Sequence, residues 1–228
     1  MIMRRWEGLP ENMKTDEVRP YYDALNAHRP ALIVKRIFDI VIAAIMLVVL
    51  SPLFFIISAA IKFGSRGPVF YRQTRVTQYG REFSIHKFRT MVVGADEMGT
   101  LVTVGDDGRI TKLGRALRKF RLDELPQLID VLSGNMSFVG TRPEVPQYVA
   151  AYTNEMLATL LLPAGITSEA SIRYIDEAEL LRNAEDVDKT YTERILPEKM
   201  KYNLDSIKSF SILSETKTML RTVLAVLK

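Results

Sequence analysis

The sequence predicts a mostly helical α/β, monotopic membrane protein that has a re-entrant helix-break-helix, surface amphipathic helices and a few short strands. Three observations predict this class. An apolar run at 40–61 is interrupted by Ser51-Pro52, basic residues flank the run on both sides, and aromatic and β-branched residues nearly alternate after it. Together they divide the chain into an N-terminal arm at 1–30, a membrane element at 31–62 and a cytosolic catalytic domain with interfacial helices at 63–228.

The N-terminal arm is expected to be loose. Its charges are of mixed sign, and Pro10, Pro20 and Pro30 interrupt it. Proline lacks a backbone donor and breaks a helix interior, so we expect one short helix at most before the membrane element.

The apolar run is long enough to reach across a bilayer, since about 20 apolar residues cross the hydrocarbon core. Pro52 has no N–H and its ring clashes with the carbonyl of Val48, so a helix bends or breaks there. Each arm is then about 11 residues, or roughly 16 Å at about 1.5 Å per residue. That length covers about half of a hydrocarbon core of ~30 Å.

The charges at the two ends of the run favour a re-entrant element over a kinked spanning helix, which stays the alternative. A spanning helix has excess Lys and Arg on one side only. Here Lys35 and Arg36 precede the run and Lys62 and Arg66 follow it, so both ends are expected at the cytoplasmic face. Asp39 lies one turn inside the run, where a carboxylate needs a partner.

Extended structure is predicted after the membrane element. Residues 63–92 are expected to be extended, and their aromatic and β-branched residues nearly alternate around Tyr79-Gly80, which indicates a hairpin. A second extended stretch at 99–114 turns at Asp107-Gly108. Asp106 and Asp107 are therefore expected to belong to a turn rather than to a metal site.

Helices are predicted on both sides of residue 123. Thr111 is the expected N-cap of a basic amphipathic helix at 112–120, a type that lies at lipid headgroups. A second short helix is expected to begin at Asp123 or Glu124, because Pro126 is tolerated only in a first turn, and to end at Gly134. The tail at 216–228 is expected to be an interfacial helix or to pack on the domain.

The composition excludes several kinds of site. The chain has 228 residues, a net charge of +4 and no cysteine, so disulfides and thiolate metal sites are excluded. His28 and His86 are too far apart for a local zinc motif. Modest positive charge in a chain that enters a bilayer favours anionic lipid or phosphorylated substrates, and no nucleic-acid partner is expected.

Asp123 and Glu124 are the candidate catalytic pair. A helix start stabilises negative charge, so Asp123 is expected to be ionised and to act as a nucleophile or a Mg²⁺ ligand. Adjacent helical residues project about 100° apart, which argues against two carboxylates that flank a glycosidic bond. The competing interpretation is an N-cap followed by a first-turn glutamate.

Cationic residues crowd this pair. One guanidinium group can bind two phosphate oxygens at once. The competing interpretation for each residue is a solvated surface charge. A carboxylate pair among cations, beside a half-inserted helix, predicts phosphoryl chemistry on a lipid phosphate. The candidate phosphate-binding residues are Arg142, Arg115, Lys87, Arg89 and Arg118.

Several segments together resemble the bacterial sugar transferase family, the monotopic polyprenyl-phosphate phosphoglycosyl transferases. The resemblance extends from about Lys35 to about Arg173, and later segments look like the small, single-domain members. The segments are KRIFDIV, the Ser-Pro within the apolar run, GPVFYRQTR, KFRTM, RITKLGRALRKFRLDELPQLIDVLSGNMSFVGTRPE and PAGIT.

The resemblance implies transfer of a phospho-sugar from a UDP-sugar to undecaprenyl phosphate, with release of UMP, as the first membrane step of glycoconjugate assembly. It implies a ping-pong mechanism with Asp123 as nucleophile, Glu124 as its partner and Mg²⁺ as cofactor, with these two carboxylates as candidate ligands. The expected location is the cytoplasmic face of a bacterial inner membrane, in contact with membrane lipids. A homodimer is left open.

Two positions depart from the family pattern. Thr141 stands where proline is usual before Arg-Pro, and Thr77 stands where glycine is usual.

Two other functions stay as alternatives. One is a non-catalytic single-pass adaptor with a basic lipid- or protein-binding domain, and the other is a lipid-phosphate hydrolase that uses Asp123.

Overall fold

A computed structural model describes residues 3–95, 98, 107–174, 176–181 and 184–226. The part of the expected extended stretch at 99–106, with Asp106, lies outside these residues. The described elements confirm a mostly helical fold with short strands. They are α1 (Arg19–Ala27), α2 (Arg29–Val49), α3 (Ser51–Gly64), β1 (Phe70–Val76), β2 (Glu82–Phe88), α4 (Lys112–Lys119), α5 (Gln127–Ser133), β3 (Met136–Val139), α6 (Pro146–Val149), β4 (Ala164–Thr167), α7 (Glu169–Arg173), α8 (Glu177–Leu180), α9 (Val187–Thr190), α10 (Leu196–Lys208) and α11 (Ile212–Val226).

The apolar run forms two helices that meet at Leu50, as the Ser51-Pro52 break predicts. The axes of α2 and α3 are bent by 62°. Pro52 lies in the first turn of α3, where its missing N–H costs no helical hydrogen bond. Among the described helices, none alone has the length and apolarity to cross a bilayer, whereas this bent pair has both when taken together.

One face of the first half of α2 packs into the protein, whereas Ile33, Val34, Ile37, Phe38 and Ile40 on its other side are exposed. Asp39 is buried and accepts a hydrogen bond from Ser137 Oγ at 2.7 Å. Lys35 Nζ lies 4.0 Å from the Asp39 carboxylate, donates to the carbonyl of Val139 at 3.1 Å and pairs with Glu215 of α11. The partner that the sequence demands for Asp39 therefore comes from β3 as well as from Lys35.

The rest of the bent pair presents large apolar side chains to its surroundings. Exposed apolar surface of this extent marks contact with a membrane or another protein. The exposed residues are Val41, Ile45, Val48, Val49, Phe55, Ile56 and Phe63.

The N-terminal segment (residues 3–27) is packed, so the expectation of a loose arm is wrong. It forms two 3-10 turns, Trp6–Gly8 and Glu11–Met13, followed by α1. Pro10 precedes the second turn and Pro20 lies in the first turn of α1, positions where proline breaks nothing. Its apolar side chains join those of α10 in one buried cluster, which includes Met3, Leu9, Met13, Val18, Tyr21, Tyr22, Leu25, Leu204, Ile207 and Phe210.

The predicted hairpin is confirmed. β1 and β2 are antiparallel, with Tyr71 opposite Lys87. The connection contains Tyr79 and Gly80 with φ of 62° and 74°, a left-handed conformation that glycine adopts without strain.

A second, parallel pair joins β3 to β4, with Met136 opposite Ala164. Thr77 links this pair to the hairpin, because its Oγ1 donates to the Asn135 carbonyl at 2.5 Å and accepts from Ala164 N at 3.1 Å. Its φ of −128° is open to any residue. The departure from glycine at this position therefore adds two hydrogen bonds without backbone strain.

Candidate active site

Asp123 and Glu124 lie in a 3-10 turn, Leu122–Glu124, which precedes α5. The expectation that α5 begins at one of them is wrong by three or four positions, because α5 starts at Gln127, directly after Pro126. Proline has no N–H to donate, so the regular helix begins only after Pro126. At the other end, Gly134 has a φ of 85° and ends α5 as predicted.

Helix α4 brings its cations to this turn. Thr111 is its N-cap, since Thr111 Oγ1 accepts from Gly114 N at 2.9 Å. Leu117 is buried against Ile57 and Ile61 of α3. The predicted basic amphipathic helix therefore lies directly on the apolar helix pair.

Glu124 is surrounded by cationic groups. Arg142 donates to both of its carboxylate oxygens, and the Oε2 contact is 3.4 Å. Lys87 Nζ lies 3.4 Å and an Arg121 nitrogen lies 3.7 Å from Oε1. Burial alone would raise the pKa of Glu124. The positive charges of Arg142 and Lys87 have the larger, opposite effect and hold that pKa well below its ordinary value. Glu124 is therefore ionised and already partnered.

Asp123 has a different environment from its neighbour. It is 7% exposed and lines the cleft, and no described residue donates a hydrogen bond to its carboxylate. Burial and then the negative charge of Glu124 raise its pKa, against the opposing effect of Lys87, Arg118 and Arg142. Burial and a like charge therefore oppose the ionised form that a helix start favours. The result is an available carboxylate of increased basicity.

Two more of the predicted phosphate-binding residues reach the same place. Burial lowers the pKa of Lys87 to about 8, although Glu124 opposes this shift. Arg118 lines the cleft and donates through Nε to Thr90 Oγ1 at 2.9 Å. Together with Arg142, these cations can neutralise phosphate oxygens beside Asp123.

The remaining two predicted residues are placed differently. Arg89 lines the cleft, but its guanidinium donates to the Ser65 carbonyl, the Ser65 hydroxyl and the Arg66 carbonyl at 2.7–2.9 Å. It therefore ties the end of β2 to the end of α3. Arg115 is exposed on α4 and is not among the described residues that line the cleft.

The cleft has a volume of about 1290 Å³, more than the roughly 300–1,000 Å³ of common ligand sites. Four apolar residues of its lining, called here the apolar end, are Pro68, Val92, Val93 and Phe120. A second set, called here the polar end, consists of Tyr148, Glu177, Tyr191 and Lys199. Asp123 and its cations line the same cleft.

The residues of the polar end are not among the site residues that the sequence predicts. Tyr191 Oη donates to Glu144 Oε1 at 2.6 Å, and Lys199 Nζ donates to Tyr191 Oη at 3.0 Å and to Glu177 Oε2 at 2.7 Å. Tyr191 begins a π-helical turn, Tyr191–Ile195, a feature often found at functional sites. The one available signal is the position of Glu144, two residues after Arg142.

Arg142 is positioned by a close contact between two glycines. A Cβ on Gly165 would lie 2.2 Å from the backbone of Gly140, and a Cβ on Gly140 would lie 2.6 Å from the Pro163 carbonyl oxygen, so this approach requires glycine at both positions. The Thr141 carbonyl accepts from Gly165 N at 2.8 Å. Thr141, which departs from the family pattern, is therefore held in place by a backbone hydrogen bond directly before Arg142.

A buried histidine–aspartate contact joins the two elements that meet at the site. Asp130 of α5 accepts from His86 N at 2.8 Å through one oxygen and contacts His86 Nδ1 at 2.8 Å through the other. His86 directly precedes Lys87, and Asp130 follows the Asp123 turn. The contact therefore fixes β2, and with it Lys87, relative to Glu124.

Asp130→Ala should lower the free energy of unfolding by about 2–4 kcal/mol, because it leaves a buried N–H and an imidazole N–H without acceptors. Urea unfolding of the purified protein measures this. Asp130→Asn, which keeps one acceptor oxygen, is the matched variant and should lose less. Equal losses for the two variants would contradict a role for these hydrogen bonds.

The site is a cation-lined cleft beside an apolar helix pair, and Asp123 in it has no hydrogen-bond donor among the described residues. This arrangement is the kind that a group-transfer enzyme uses for an anionic substrate. The bacterial sugar transferase family model matches residues 30–228, and the chain belongs to that family. It is accordingly a transferase, as the motif resemblance implies.

Named relatives share most of the chain. A UDP-glucose:undecaprenyl-phosphate glucose-1-phosphate transferase of Caulobacter vibrioides is 35% identical over 192 residues, which are 83% of this chain and 68% of the relative. A protein of the same name from Escherichia coli is 34% identical over 93% of this chain and 44% of its own length. A putative undecaprenyl-phosphate N-acetylgalactosaminyl 1-phosphate transferase of Bacillus subtilis is 38% identical over 55% of this chain and 70% of the relative.

Proposed function

We propose that the protein transfers a sugar 1-phosphate from a UDP-sugar to undecaprenyl phosphate through a covalent intermediate on Asp123. The names of the relatives support both substrates. The observation that carries the mechanism is the difference between two adjacent carboxylates: Glu124 is held by cations, whereas Asp123 has no donor among the described residues.

In the first step an Asp123 oxygen attacks the β-phosphorus of the UDP-sugar. The bond from that phosphorus to the bridging oxygen breaks, and this oxygen leaves with its electron pair as part of UMP. Arg142, Lys87 and Arg118 neutralise the phosphate oxygens, which lets an anionic nucleophile approach an anionic substrate. The sugar phosphate is then an acyl phosphate ester of Asp123.

In the second step a phosphate oxygen of undecaprenyl phosphate attacks the same phosphorus. The bond to Asp123 breaks, the carboxylate is restored, and the product is a lipid diphosphate-linked sugar. A covalent intermediate lets the two substrates use one site in turn, which suits a soluble donor and a membrane-bound acceptor.

The residues present fit Mg²⁺ only in a site shared with the substrate. The described residues contain no group of three His, Asp or Glu side chains that could hold a metal. Mg²⁺ commonly binds one or two carboxylates together with substrate phosphates and waters. Asp123 would hold it with the diphosphate, and Glu124 is the second candidate, although it is already paired. When bound, the ion would neutralise phosphate charge.

We also propose that the enzyme is monotopic, on the cytoplasmic face of the inner membrane. The exposed apolar residues of α2 and α3 and the position of α4 on α3 support this. α11 adds Leu213, Leu220, Val223 and Leu224 as exposed apolar residues, and it also packs on α7 and β3. Moving a prenyl chain out of a bilayer costs about 0.8 kcal/mol of free energy per CH₂. The phosphate of the prenyl acceptor must therefore react at the headgroup level.

The test is UMP release by the detergent-solubilised enzyme with UDP-sugars, undecaprenyl phosphate and Mg²⁺. We expect UMP release and lipid-linked sugar diphosphate in equal amounts, and loss of both with excess EDTA. Release of free sugar phosphate without acceptor would identify a hydrolase. No turnover with any UDP-sugar, together with a periplasmic reporter at the N-terminus, would favour a membrane adaptor.

A further inference from the structure

The two displacements restrict where the sugar lies in the cleft, and this step rests on the proposed function. In each phosphoryl transfer the attacking and leaving oxygens are roughly in line with phosphorus. Asp123 attacks in the first step and leaves in the second. UMP therefore departs from, and the acceptor phosphate arrives at, the same position opposite Asp123. The sugar must stay bound elsewhere while these two groups exchange.

The apolar end of the cleft suits the acceptor. Val93 lies against Gly67, just after α3, and Phe120 is 53% exposed at the end of α4. These side chains continue the apolar surface of the helix pair to the cleft. Lipid phosphate can therefore reach the position that UMP vacates from the side of the helix pair.

The polar end then remains for the sugar. Its accessible group is Glu177, whose side chain is 24% exposed, whereas Lys199 beneath it is 5% exposed. Lys199 Nζ donates to Glu177 Oε2 at 2.7 Å and to Tyr191 Oη at 3.0 Å. Tyr191 is in turn fixed by Glu144. This network holds one carboxylate in place and leaves part of it open to the cleft.

A fixed carboxylate is an acceptor for hydroxyl groups. An ionised carboxylate accepts several hydrogen bonds and donates none. A site built to accept from a hydroxyl discriminates strongly against an analogue that does not supply it, because the buried acceptor is then left unpaired. Sugars of nucleotide donors differ from one another mainly in the position and substitution of their hydroxyl groups.

We infer that the polar end is the sugar subsite, in which Glu177, held by Lys199, accepts a hydrogen bond from a sugar hydroxyl and sets the choice among UDP-sugars. Asp123 and its cations, by contrast, treat all UDP-sugars alike. Discrimination between donors then depends on residues outside the DELPQL segment, in the part of the fold built on α8 and α10.

The experiment compares the wild type with Glu177→Gln and with the control Glu193→Gln, which changes an exposed glutamate of the π-helical turn. Initial rates of UMP release are measured with UDP-glucose, UDP-galactose and their N-acetylated counterparts at saturating undecaprenyl phosphate. Product inhibition by UMP and the KM for the acceptor are measured for each protein. Thermal melting checks that each variant is folded.

For Glu177→Gln we expect a rise of about 10-fold or more in the KM for the preferred donor and a smaller ratio of kcat/KM between donors, because a charged acceptor is lost. The inhibition constant for UMP and the acceptor KM should stay within about twofold. Glu193→Gln should match the wild type.

Two results would overturn the inference while leaving the proposed function intact. One is an unchanged donor preference in folded Glu177→Gln and Glu177→Ala. The other is a rise in the UMP inhibition constant that parallels the donor KM, which would place uridine at the polar end. Failure of the wild type to release UMP from any donor would instead reject the proposed function itself.

Discussion

Asp123→Asn should abolish turnover and at the same time raise thermal stability. An amide is no nucleophile at phosphorus, so kcat should fall by at least about 10³-fold. No phospho-sugar adduct should form on residue 123 when the acceptor is omitted, whereas the wild type should accumulate one. Mass spectrometry of the intact protein and UMP detection measure both effects.

The stability gain follows from the sign of the pKa shift. The pKa of Asp123 is raised in the folded protein, so its ionisation is less favourable there than in the unfolded chain. Stability is therefore lost as the pH rises from the ordinary value through the raised value, and the whole penalty is present above the raised value. Asparagine removes that charge and its repulsion with Glu124, and each 1 kcal/mol gained should raise Tm by about 2–4 °C.

The same shift predicts the pH dependence of the rate. Because Asp123 must be ionised to attack, wild-type kcat/KM should fall as the pH drops through its raised pKa, above the range of an ordinary aspartate. Asp205→Asn, on the exposed side of α10, is the control and should leave rate and Tm unchanged. Turnover of Asp123→Asn near the wild-type rate would exclude this residue as the nucleophile.

Arg142→Gln should cost both activity and stability. Its guanidinium donates to both oxygens of Glu124, and we propose that it also binds the transferring phosphate. Loss of one such donor lowers kcat/KM by about 10²–10³-fold. The glutamine variant also lacks the guanidinium that pairs with the buried, ionised Glu124, which then keeps Lys87 and Arg121 as its cationic neighbours. The free energy of unfolding should therefore fall by about 2–4 kcal/mol.

Arg142→Lys separates charge from geometry. A lysine keeps the positive charge but cannot bond both carboxylate oxygens in the manner of a guanidinium, so it should recover stability more than activity. Arg194→Gln, at an exposed position on the π-helical turn, should leave rate and stability unchanged. Full activity of folded Arg142→Gln would remove Arg142 from the phosphate site.

Local signals in the sequence predict the break at Ser51-Pro52, the hairpin at Tyr79-Gly80, the Thr111 cap and the Gly134 helix end. Each depends on a few neighbouring residues and on backbone chemistry that tertiary contacts do not override. The family resemblance, which the matching family model confirms, also depends on contiguous motifs.

The remaining features depend on contacts between distant parts of the chain. The burial of Asp123 and the cations around Glu124 come from β2, α4 and the loop after β3, and the direction of a pKa shift is set by their sum. The polar end unites Glu144 with Tyr191 and Lys199, about fifty residues later. The packing of residues 3–27 is likewise set by α10.

The buried cluster that joins Met13, Val18 and Leu25 to Leu204 and Phe210 has a consequence for biosynthesis. Translation proceeds from the N-terminus, and contacts of long sequence separation form late. The apolar helix pair therefore leaves the ribosome long before α10 exists. Val76 and Leu160 of the same cluster are made earlier, so the first segment gains its native partners in stages and its core is complete only after α10 has been made.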